Sequence, residues 1–195
     1  MNIGIDIDDT ISDTYATLFE YAQKYTVEEL KREPIINKCD STNHFYIVYM
    51  HNWSKQEAIK FWDKYYAEIL KKVNIKTFAS DYIKKLKNQG HKINLITARW
   101  EMNNSDVRGI TIQWLKDNNI EYDNFFMNAD DKLKLVKEND IDIFIDDSFD
   151  NCKKIAYNSK SKAFLMDSRI NGSLQDDKIK RVYSWSQIYY LINKK

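Results

Sequence analysis

Apolar positions along this chain follow two different rhythms. At the start, Ile3-Gly4-Ile5-Asp6-Ile7 is a short apolar run that stops abruptly at Asp8-Asp9-Thr10, the pattern of a buried strand and its exit turn. From Ser12 to about Lys72 the spacing turns helical. Ser12 or Asp13 can cap a first helix through Tyr25. Ser54, with Glu57 three residues on, forms a capping box that opens a helix over Lys55 to Lys71, with Phe61, Tyr65 and Ile69 on one face. Pro34 interrupts this region, and Ile35 to Met50 resists assignment.

Beyond about Val73 the chain alternates between helices and apolar runs. Ser80 to Gln89 reads as a helix stopped by Gly90. Strands are expected over Lys92 to Thr97, Asn124 to Met127, Ile141 to Ile145, Lys162 to Met166 and Lys180 to Tyr183. The intervening helices are Ser105 to Asn118, Lys132 to Glu138 and Asn151 to Tyr157, and a last one, Ser186 to Ile192, is capped by Ser184. Such alternation predicts an α/β fold, a Rossmann-like parallel sheet with helices on both faces. Residues 1–12 and 74–195 supply it, and residues 13–73 form a helical insertion directly after the first strand.

Bulk properties narrow the function. With 195 residues, 43% of them hydrophobic and 30% charged, the chain can bury one good core, or a core and a small satellite. A formal net charge of +1 gives no global field to recruit a nucleic acid polymer or an anionic membrane. No run approaches the roughly 18 apolar residues of a spanning helix, and the N-terminus already reads as a strand, so a cytoplasmic protein is expected. Cys39 and Cys152 are far apart and lack metal-type spacing, which reads as free thiols in a reducing compartment. His44, His51 and His91 form no ligand pattern.

Ligands of open parallel sheets bind beyond the carboxyl ends of the strands, so the residues ending each apolar run carry the candidate chemistry. They are Asp6-Ile7-Asp8-Asp9-Thr10, then Thr97-Ala98-Arg99, then Asp146-Asp147, with Asp131-Lys132 opening a helix before the last. Singly, each has an ordinary reading: acidic residues and Thr97 as turn or helix-cap material, Lys132 as a solvated lysine. Their order and common placement at strand ends favour a site. Carboxylates that converge repel one another unless a cation neutralises them, and hard oxygen donors on few side chains suit Mg²⁺. Such an ion screens the approach of an anionic phosphate to an anionic nucleophile. Lys132, Thr97 and the backbone N–H groups around Asp8 and Asp9 would hold phosphoryl oxygens.

These residues resemble the four motifs of the haloacid dehalogenase-like hydrolases. Asp6-x-Asp8-x-Thr10 is similar to the first, Thr97 to the second, Lys132 to the third and Asp146-Asp147 to the fourth. The resemblance implies that Asp6 is a nucleophile forming a phosphoaspartate, and that Asp8 is the general acid, then base. It implies Mg²⁺ held by the Asp6 carboxylate, the Asp8 carbonyl and Asp146. Asp147 would orient a metal-bound water or pair with Lys132, with Thr10 behind the ligands. Arg99 would add a second cationic contact to phosphate, or form a structural ion pair.

The insertion then resembles a helical cap, and the chain as a whole resembles 5′-nucleotidases of the cytosolic deoxyribonucleotidase type and their bacterial relatives. Two positions depart from that type. Thr14 stands where those enzymes carry a base-stacking aromatic, and Ala98-Arg99 where they carry Ser-Pro. The aromatic side chains of the insertion either wall a nucleobase or fill the insertion's own core. Phe61 and Tyr65, four apart, are assigned to the core, while Phe45, Tyr46 and Trp53 are the substrate candidates. The expected activity is a Mg²⁺-dependent phosphomonoesterase acting on a small phosphorylated metabolite, a (deoxy)nucleoside monophosphate first. A sugar phosphate is the alternative. A phosphate- or metal-sensing regulatory protein would be expected to lose Asp6, Asp8 or Lys132, all of which are present.

Overall fold

The computed structural model of this protein describes residues 1–37, 46–102 and 105–194. β1 (Asn2–Ile5) is the central strand, followed by a two-residue strand β2 (Ser12–Asp13) and helices α1 (Thr14–Glu28), α2 (Tyr46–Met50) and α3 (Lys55–Lys72). The chain continues through β3 (Asn74–Ile75), α4 (Ala79–Asn88), β4 (Lys92–Ile96), α5 (Val107–Asp117) and β5 (Asn124–Phe126). It ends with α6 (Lys132–Glu138), β6 (Ile143–Asp146), α7 (Phe149–Asn158), β7 (Lys162–Met166), β8 (Ile179–Val182) and α8 (Trp185–Asn193).

Six strands pair in the order β5-β4-β1-β6-β7-β8, every neighbour parallel. From β1 the sheet grows outward through β4 and β5, then returns to add β6, β7 and β8 on the other side. This reversal opens a crevice beyond the carboxyl ends of β1, β4 and β6, where ligands of such sheets sit. The strands are near-continuous apolar runs because both faces are covered, and Ile3, Ile5, Leu95, Phe144 and Ile145 are fully buried. Gly4 matters here, because a Cβ at that position would meet the Phe144 ring at 3.0 Å.

Helix α3 begins as its sequence requires. The Ser54 hydroxyl accepts from the Glu57 N–H, and the Glu57 carboxylate accepts from the Ser54 N–H at 2.7 Å. A cap of this kind is worth about 1 kcal/mol. Its inner face joins Tyr25 of α1 and Trp53 in an aromatic cluster, with Trp53 and Phe61 ring centroids 4.7 Å apart. His51 is buried in the same region, its Nδ1 3.1 Å from the Ile47 carbonyl, as a structural residue.

Two features were not expected from the pattern. The segments leaving and re-entering the sheet region pair antiparallel, Ser12 with Ile75 and Asp13 with Asn74, and Lys76 N–H donates to the Ile11 carbonyl at 2.7 Å. The Trp114 indole of α5 also donates to the Val73 carbonyl at 2.8 Å, tying the end of α3 to the sheet's flank. Helix α1 starts at Thr14 rather than next to Ser12, and Asp13 occupies its N-cap position without a side-chain bond. No helix among the described residues is long and apolar enough to cross a membrane.

Candidate active site

Register alone brings the first and last acidic motifs together. Ile5 pairs with Ile145, and the Asp6 N–H donates to the Ile145 carbonyl at 2.9 Å, so Asp6 and Asp146 leave adjacent strands side by side. Lys132, the first residue of α6, spans them. Its Nζ donates to Asp6 Oδ1 at 2.5 Å and to Asp146 Oδ2 at 2.8 Å, and all three side chains are buried. Asp146 is anchored further by the Ser148 N–H on Oδ1 (2.7 Å) and by Asn151 Nδ2 on Oδ2 (3.0 Å). Carboxylate oxygens of Asp6, Asp146 and Asp147 all lie within 4.8 Å of one another.

Three carboxylates against one ammonium is an unbalanced charge. Burial, with repulsion from Asp146 and Asp8, pushes the Asp6 carboxyl up to about 7 although Lys132 opposes it. Burial and the neighbouring Asp9, Asp146 and Asp6 push Asp147 well above the carboxylate range. Burial alone would weaken the Lys132 ammonium, but Asp146 and Asp6 outweigh it and hold the proton more firmly than usual. The donor set, hard anionic oxygens short of positive charge, fits a divalent cation such as Mg²⁺. Among the described residues, the Asp147 carboxylate accepts no hydrogen bond, which leaves its oxygens available for such an ion or its waters.

A pH dependence follows. A carboxyl raised from 3.8 to about 7 binds more protons folded than unfolded in that window. Metal-free protein should therefore lose thermal stability as pH rises from about 4 to 7. Asp8, shifted the other way, contributes only below that window. Added Mg²⁺ should raise the melting temperature more at pH 7 than at pH 5. Equal shifts at both pH values, measured by scanning fluorimetry, would contradict the charge imbalance.

Asp8 is held differently. Arg99 donates from Nε to its Oδ2 (2.9 Å) and from Nη2 to its Oδ1 (2.8 Å), and the Thr14 hydroxyl adds 2.6 Å on Oδ1. Burial raises the Asp8 carboxyl, but the Arg99 guanidinium and Thr14 outweigh it and hold the group below its ordinary range. Arg99 also donates from Nη1 to Thr111 at 3.2 Å. Arg99 thus forms an ion pair with Asp8.

Asp9 adopts a left-handed backbone, φ 54°, and its carboxylate accepts the Tyr15 N–H at 2.8 Å. It therefore caps α1, the task Ser12 or Asp13 was expected to perform. The Thr97 hydroxyl, fully buried, accepts the Arg99 N–H at 3.2 Å and keeps its own hydrogen to donate. Thr10 is fully buried and does not reach the cavity; its carbonyl accepts the Trp185 indole N–H at 3.1 Å, so α8 pins the first loop from behind.

Above these groups lies a cavity of about 460 Å³. Asp6, Asp8, Asp9, Thr97, Arg99, Lys132, Asp146 and Asp147 are among its lining residues, with Tyr46, Trp62, Tyr66, Trp100 and Ile170. Tyr66 and Trp100 stack at 4.4 Å with planes 11° apart, and Tyr46 stacks on Tyr15 at 5.8 Å. Tyr46, a substrate candidate from the sequence, lines the cavity. Trp53 does not: it is buried behind the wall with its indole donating to Thr26 at 3.0 Å, because that cluster needs a bulky filler. Phe45 lies outside the described residues, as do Cys39 and His44. Cys152 is buried, with its thiol 3.6 Å from the Asp146 carbonyl.

Other residues that no sequence pattern marks also shape the site. Asn151 sits in the first turn of α7, where Ser148 caps the helix, and so faces back to Asp146. Asn171 donates to the Asp147 carbonyl at 2.7 Å, and its own Oδ1 accepts from Arg181 at 2.8 Å. The loops after β6 and β7 are thereby locked together. Trp100, next to Arg99, offered only its aromatic character as a signal.

Comparison with known proteins agrees with this architecture. The family model described as "5′ nucleotidase, deoxy (Pyrimidine), cytosolic type C protein" matches residues 1–195. The Clostridium acetobutylicum protein named Nucleotidase CA_C3379 is 27% identical over 195 residues, covering 100% of this chain and 94% of the relative. Among solved structures, a haloacid dehalogenase-like family hydrolase from Streptococcus pneumoniae superposes with a TM-score of 0.66 at 15% identity, over 98% of each chain. A subfamily IA hydrolase of the same superfamily from Geobacter sulfurreducens gives 0.64 at 11% identity, over 98% of this chain and 96% of the other. At these identities the structural matches speak to the fold alone.

Proposed function

This chain belongs to the family of deoxy (pyrimidine) 5′ nucleotidases of cytosolic type C, and on that premise we propose a Mg²⁺-dependent phosphomonoesterase that works through an aspartyl phosphate on Asp6. The observation that carries this reading is the buried Asp6–Lys132–Asp146 bridge at the end of the aromatic cavity.

The Asp6 carboxylate attacks phosphorus, an O–P bond forms, and the bond to the leaving oxygen breaks as Asp8, ionised at rest, takes the proton of the bound phosphate monoanion and passes it to that oxygen. Water then attacks the phosphorus of the acyl phosphate while Asp8 takes its proton, and inorganic phosphate departs with Asp6 restored. Lys132, the Thr97 hydroxyl and the N–H groups around Asp8 and Asp9 hold the phosphoryl oxygens. The carboxylates of Asp6, Asp146 and Asp147 and the carbonyl of Asp8 would hold Mg²⁺. When bound, the ion supplies positive charge to the transferring phosphoryl group and to the carboxylates around it.

Residues 13–73 act as the cap that closes the cavity over the substrate, in a cytoplasmic enzyme. The preferred substrate class is the (deoxy)nucleoside monophosphates, supported by the walls of Tyr46, Trp62, Tyr66 and Trp100, since every base offers a π-face. A panel of nucleoside, sugar and small acid phosphates tests this. Higher kcat/KM for sugar phosphates than for every nucleotide would reassign the substrate and leave the chemistry intact.

Asp8→Asn separates proton transfer from metal binding, because its metal contact is the backbone carbonyl. The variant should lose roughly 10²- to 10⁴-fold in kcat while its Mg²⁺ affinity, by calorimetry, stays within about threefold of wild type, the side chain being no ligand. Full activity would remove the acid/base assignment.

A further inference from the structure

Arg99 is one of the residues lining the cavity, yet its side chain keeps only 1% of its exposure, while that of Asp8 keeps 33%. Each of its three nitrogens donates to a protein acceptor, two to Asp8 and one to Thr111 on α5. Its Cζ lies 5.9 Å from the Trp114 ring, so the guanidinium is packed as well as bonded. A phosphoryl group at Asp6 would compete with a bidentate carboxylate for a cation already enclosed. Fork-to-fork pairs of this kind fix direction as well as charge, which a lysine cannot reproduce.

We infer that Arg99 is a positioning residue: it fixes the direction of the Asp8 carboxylate toward the cavity and does not hold the phosphoryl group. The inference rests on the reading of Asp8 as the proton-transfer group. Arg99 reaches it by following Thr97 at the exit of β4, adjacent to the exit of β1 that carries Asp8. Through Thr111 it is in turn braced by α5, which packs both into the main core and against α3. The orientation of Asp8 is thereby set by Arg99 together with Thr14 of α1, and a small misplacement of such a group is costly. A displacement of about 1 Å in a reacting group is worth roughly 100-fold in rate.

The test compares Arg99→Met and Arg99→Lys, each alone and combined with Asp8→Asn, using the best substrate of the panel and inorganic phosphate as a binding probe. Arg99→Met should lower kcat by roughly 100-fold with KM changed less than about threefold, as expected for a residue that touches no part of the substrate. Phosphate affinity, measured by calorimetry, should stay within about twofold. In the Asp8→Asn background the same change should cost less than about threefold, because the two residues act as one unit. Arg99→Lys should recover only part of the loss.

A phosphate ligand behaves otherwise. If Arg99→Met weakens phosphate binding about tenfold or more, near 1.4 kcal/mol, and costs as much beside Asp8→Asn as alone, the inference is overturned. Should Arg99→Met fail to fold, Arg99→Lys retains the buried charge and decides by the same comparisons. Wild-type kcat in that variant, with phosphate binding weakened, also overturns it. A wild-type protein that hydrolyses nothing in the panel is a separate result; it removes the phosphatase reading and this inference with it.

Discussion

Asp6→Asn should abolish turnover, by roughly 10⁴-fold or more, as removal of a nucleophile does. The fold should survive. Asparagine matches the shape of aspartate, and Lys132 keeps its bond to Asp146 at 2.8 Å. The substitution also removes one of the crowded carboxylates, whose charge is opposed by burial and by Asp146 and Asp8. Metal-free Asp6→Asn should therefore melt no lower than wild type at pH 7. Steady-state hydrolysis and a thermal melt on the same preparation check both halves. Substantial activity in a folded variant would remove Asp6 from the chemistry.

Chelation should have an effect of similar size. Without a divalent ion, an anionic phosphate must approach a cluster holding three carboxylates and one ammonium. At 4 Å, two unit charges interact by about 4 kcal/mol at an effective dielectric of 20, so one uncompensated repulsion costs roughly three powers of ten in rate. EDTA should reduce hydrolysis to background, and Mg²⁺ added in excess should restore it. Asp146→Asn should need far more Mg²⁺ for half-maximal rate. Activity indifferent to EDTA would exclude the proposed cation.

What could be read in advance depended on how locally each feature is encoded. The capping box at Ser54 and Glu57 and the bounds of α6 and β7 lie in their own residues, and the structure reproduces them. The convergence of Asp6, Thr97 and Asp146 also followed from parallel strands, since register brings their ends to one edge, and Lys132 opens the helix that leads into β6. The pairing of β2 with β3 was not legible, because two residues cannot display a period. Nor was α2, a single short helix in an irregular stretch.

Side-chain assignments were less accessible still. Arg99 looked equally suited to phosphate or to an ion pair, and only the adjacency of the β1 and β4 exits brings it to Asp8. Trp53 and Tyr46 are both aromatic residues of the insertion, yet one fills a core and the other faces the cavity, a difference set by packing rather than spacing. Asn151 and Asn171 carry no periodic signal at all; they matter through the carboxylate and carbonyl they happen to meet.

The covalent role of Asp6 can be seen directly. Protein mixed with Mg²⁺ and a good substrate, quenched in acid within the first turnovers and digested, should yield an N-terminal peptide heavier by one phosphoryl group, localised to Asp6 and missing from Asp6→Asn. Phosphoryl found on another side chain, or brisk turnover with every peptide unmodified at all quench times, would contradict it.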